Sequence, residues 1–61
     1  MTLPIDTALK HLIKCIELYK SINMTVPIEE IMLDLARQHR VNVLDLKWSY
    51  YDYKSGLITL E

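Results

Sequence analysis

Leu35 to Leu57 reads LARQHRVNVLDLKWSYYDYKSGL, and the way this stretch divides decides the fold. Read helically, it is the end of one helix, a tight turn, an aromatic-rich helix and a glycine stop. Val43, Leu46, Tyr50, Tyr53 and Leu57 then follow at intervals of three, four, three and four, which is one face of a helix. Read as strand, Leu44, Leu46, Trp48 and Tyr50 alternate with Asp45, Lys47 and Ser49, and Lys54-Ser55-Gly56 would turn the chain into a returning strand. Both templates fit. The helix is preferred because Asn42 stands where its side chain can cap the free amides of a helix that begins at Val43.

Working outward, the segment from Ala8 to Ile22 carries the strongest periodic signal. Leu9, Leu12, Ile13, Ile16, Tyr19 and Ile22 keep the three-four spacing, and Ala8, Cys15 and Leu18 widen the stripe. Lys10, Lys14, Glu17 and Lys20 lie mostly on the other side. A stripe this wide can cover the rest of the domain, or face the core and a second subunit together. Pro4 disfavours helix at Leu3, so Asp6 or Thr7 is the expected N-cap and the first helix is expected over residues 7–22. Asn23 and Thr25 supply turn chemistry, and Pro27 followed by Glu29 and Glu30 suits a helix start. The second helix is expected over 27–40 with Ile28, Ile31, Met32, Leu35 and His39 inward, the third over 43–54, and a short strand is possible over 57–60.

The spacing around the turn resembles the helix-turn-helix of repressors and activators. Leu35, Ala36, Val41, Leu46 and Tyr50 carry the resemblance, which spans roughly Ile28 to Tyr53, and Gly56-Leu57-Ile58 lies where winged-helix regulators end the recognition helix and begin a strand. The resemblance implies a mostly α, three-helix domain in which a small residue lets two helices cross closely. Arg40 departs from it, because that family usually places glycine there. The backbone must then avoid the left-handed region or accept its cost at a residue with a side chain.

Size and charge bound the function. A chain of 61 residues buries only about 60% of its extended surface. Apolar residues make up 51% of it, and such a surplus points to an oligomer or an obligate binder. Seven Lys and Arg against eight Asp and Glu leave a net charge of −1, so no global field draws the chain to nucleic acid or an anionic membrane. The single Cys15 fits a reducing compartment, and neither a membrane span nor a signal peptide is apparent; the expected location is cytoplasmic.

Catalytic chemistry is thinly represented. His11 and Cys15 are four residues apart and could meet on one helix face, with His39 an incomplete third ligand. A buried small thiol beside a partly exposed histidine is the plainer account. With one glycine there is no phosphate-binding loop. No enzyme activity, cofactor, metal or small-molecule substrate is expected.

The outward face of the third helix therefore carries the functional expectation. As a regulator it would bind DNA as a homodimer, with Asn42 and Lys47 at base edges, Arg37, Gln38, Arg40 and Lys54 on phosphates and Tyr51 donating to one. As a protein-binding adaptor or inhibitor it would present Leu44, Trp48 and Tyr51 instead. Turn spacing and the basic residues Arg37, Arg40 and Lys47 narrowly favour DNA, while Asp45, Asp52 and the acidic balance favour a protein partner.

Overall fold

Ala8, Leu9, Leu12 and Ile16 leave one side of the first helix and are almost completely withdrawn from solvent. A computed structural model of the protein describes residues 3–58, and in them this helix is α1 (Pro4–Ser21), followed by α2 (Ile28–His39) and α3 (Val43–Ser55). Each helix packs on the other two. Met32, Leu35 and Ala36 come from α2, Leu46 and Tyr50 from α3, and all meet the α1 stripe in one core. Leu9, Leu12, Met32 and Leu46 are fully buried, each worth about 1.5–3 kcal/mol of transfer free energy. The helical reading of residues 43–55 is therefore correct, and no strand forms among the described residues. Leu57 and Ile58 are outside any regular element, and the rest of the expected 57–60 strand lies outside the described residues.

The start of α1 corrects the expected boundary. Leu3 is extended (φ −70°, ψ 148°), as the residue before a proline prefers, and Pro4 opens the helix with no amide to leave unsatisfied. The amides of Asp6 and Thr7 already donate to the Leu3 carbonyl, at 3.0 and 3.2 Å, so neither residue caps the helix. The Thr7 hydroxyl also donates to that carbonyl. At the other end Ile22 falls one residue beyond the helix and is exposed, although its spacing matched the buried stripe.

All three helices end in the same way. After α1 the Met24 amide donates to the Tyr19 carbonyl (3.0 Å) and the Asn23 amide to Lys20 (3.0 Å). After α2, Val41 donates to Ala36 (2.9 Å) and Arg40 to Arg37 (3.3 Å); after α3, Leu57 donates to Asp52 (2.9 Å) and Gly56 to Tyr53 (3.1 Å). This paired closure needs a left-handed residue, and Asn23 (φ 59°), Arg40 (φ 57°) and Gly56 (φ 84°) supply it. Glycine adopts that conformation freely and asparagine tolerates it, whereas arginine is strained by its Cβ. Arg40 thus accepts the cost that its sequence position raised.

Two predictions follow from the turn. Arg40→Gly relieves the left-handed strain and is expected to raise stability by about 0.5–1 kcal/mol, or about 2–8 °C in Tm, read by thermal denaturation. Asn42→Ala removes the acceptor of the Leu44 amide, a 2.8 Å bond, and is expected to cost about 1 kcal/mol in urea denaturation with the helical signal of the folded state retained.

Candidate interaction face on the third helix

α3 is apolar on two sides. Its inner side is the expected one, with Leu46 fully buried, Tyr50 nearly so and Val43 half-buried. Tyr53, expected inward with them, is 36% exposed, and Leu57 is 76% exposed because it lies past the helix. On the opposite side Leu44, Trp48 and Tyr51 stand 60%, 66% and 45% exposed. Their spacing of four and three places them along one line of the helix. The Trp48 and Tyr51 rings meet edge to face, with centroids 6.2 Å apart and planes at 72°. This geometry suits the aromatic quadrupoles and holds both rings as one ledge.

The residues expected at DNA are dispersed by what they do in the fold. Asn42 accepts the Leu44 amide and so caps α3. Lys47, half-buried, reaches across to α2, where its Nζ lies 3.4 Å from Glu29 Oε1. The Lys54 ammonium sits 5.9 Å from the centre of the Tyr50 ring, within range of a cation-π attraction. Arg37, Gln38 and Arg40 are exposed at the end of α2, and Tyr51 is committed to the aromatic ledge. Leu44, Trp48 and Tyr51, the residues expected at a protein interface, by contrast form one continuous outward strip.

A contact between distant residues was not foreseeable from spacing. His11 of α1 and His39 of α2 approach at 3.2 Å between Nδ1 and Nε2, with their rings perpendicular and centroids 5.5 Å apart. Cys15, expected as a buried small thiol, is half-buried against the core. Among the described residues no three His, Cys, Asp or Glu side chains converge to hold a metal ion.

Between α1 and α3 a cleft of about 220 Å³ is lined by Ile13, Ile16, Tyr50 and Tyr53, with the charged Glu17, Lys20 and Lys54. That volume lies below the roughly 300–1,000 Å³ of ordinary ligand pockets and is large enough for a side chain. Among the described residues no helix is long and apolar enough to cross a membrane.

Burial separates core residues from solvent-facing ones on α3. Leu46→Ala is expected to cost about 2–5 kcal/mol of folding free energy, whereas Trp48→Ala in dilute solution should change it by less than about 0.5 kcal/mol; urea denaturation of both variants checks this. Comparison of the chain with family models, with curated proteins and with solved structures found no match.

Proposed function

We propose that the protein is a small binding module that docks onto another polypeptide through α3. One observation carries this reading: Trp48 is 66% exposed on a rigid helix and takes no part in the core. Leu44 and Tyr51 flank it, and tryptophan and tyrosine presented by a fixed scaffold are the residues that concentrate binding energy at protein interfaces. An apolar strip of this kind leaves water unfavourably ordered until a partner covers it.

The same helix is poorly equipped for a polyanion. Asp45 and Asp52 would repel phosphates, and Asn42 is engaged by the Leu44 amide. Duplex DNA is the second reading, favoured by the exposure of Arg37, Gln38 and Arg40 beside the turn. In that reading a homodimer would insert α3 into the major groove.

A photoreactive benzoylphenylalanine in place of Trp48, activated in the producing cell, tests the choice. The expected products are polypeptide adducts that vanish when the probe is moved to exposed Asp34 on α2. With purified protein, duplexes at low salt should show no retardation. Salt-sensitive retardation that Lys47→Ala abolishes would overturn the protein reading in favour of DNA.

A further inference from the structure

The outward strip of α3 continues in a seven-residue pattern. Trp48 and Ser55 occupy one recurring position and Leu44 and Tyr51 the other, the two that form the seam of a coiled coil. Val43, Leu46, Tyr50 and Tyr53 fall at the two positions opposite the seam, which is why α3 can pack on α1 and α2 and still offer the seam to solvent. Beside the seam the charges sort by sign. Asp45 and Asp52 border one edge, Lys47 and Lys54 the other.

We infer that the occupant of this face is a second copy of the chain, with the two α3 helices parallel about a two-fold axis running along them. This rests on the reading of α3 as a protein-docking face and names its partner. In a parallel pair the rotation lays the basic edge of each helix along the acidic edge of the other, and Lys47 of one copy meets Asp52 of the next. An antiparallel pair brings acid against acid and base against base. The charge order therefore selects both the partner and its direction. Lys47 is free to change partners, since its bridge to Glu29 is 3.4 Å long with the Glu29 side chain 68% exposed, a setting in which ion pairs contribute little. Trp48 and Tyr51 fill the centre of the seam, where burial is deepest. The seam is two helical turns long, well short of the roughly 800 Å² per partner of a standard interface, so association is concentration-dependent rather than permanent.

Sedimentation equilibrium of the intact chain across micromolar to millimolar concentration tests this, with circular dichroism as the control for folding. The wild-type chain is expected to dimerise, and Trp48→Ala to weaken the dimer at least about tenfold, the 1.4 kcal/mol that a central aromatic anchor exceeds. K47E and D52K are each expected to weaken it, and the double variant K47E/D52K to restore it. A wild-type chain that stays monomeric overturns the second copy as occupant, and a K47E dimer as tight as wild type overturns the parallel direction. Neither result touches the protein-docking reading itself, which fails separately if duplex DNA is bound through Lys47.

Discussion

Three residues separate α2 from α3, and within them the backbone must close one helix and open the next. Arg40 takes the left-handed conformation, Val41 returns its amide to Ala36, and Asn42 turns its side chain onto the Leu44 amide. Any of the three moves alone would leave free amides or carbonyls at a helix end, where each is costly if it loses water without gaining a partner. Together they fix the angle at which Leu46 enters the core beside Met32, Leu35 and Ala36. That entry angle also determines which side of α3 is left over. The outward strip of Leu44, Trp48 and Tyr51 is thus a consequence of the turn as much as of the helix.

Strain at Arg40 and surplus apolar surface on α3 belong to one balance. A 61-residue chain has little core from which to offset a strained backbone residue, yet it leaves one of its largest side chains, Trp48, mostly in water. A sequence selected only to fold would exchange Trp48 for a charged residue and Arg40 for glycine. Both residues cost the isolated fold something, Arg40 through its left-handed backbone and Trp48 through apolar surface left in water.

Much of the fold could be read from spacing, because the signals are local. The three-four intervals of Leu9, Leu12 and Ile16 and of Leu46 and Tyr50 identify the core, and Asn42 marks the start of α3. The beginning of α1 lies earlier than its capping signal, because Asp6 and Thr7 offer side-chain caps while the helix uses Pro4, which brings no amide that needs capping. Ile22 and Leu57 matched the buried period but lie beyond the points where Asn23 and Gly56 turn the chain away; periodicity does not register a helix end. On the candidate face, exposure of Trp48 was legible only as one of two options, since a tryptophan at that position could equally complete a small core. The pairings of His11 with His39 and of Lys47 with Glu29 join residues distant in sequence, and only the packing of the three helices brings them together.

The histidine contact gives the seam between α1 and α2 a property that no apolar pair would have. Two neutral imidazoles can share this hydrogen bond, Nδ1 to Nε2, only if both rings carry the same tautomer: when His11 Nδ1 carries the proton, His39 Nε2 must lack it. The remaining nitrogens are then set as well, His11 Nε2 as an acceptor and His39 Nδ1 as a donor. Exchange of protons through solvent reverses all four assignments at once without moving a heavy atom. The two helices thus share a contact that has two settings, which differ in the direction in which donor and acceptor point along the seam.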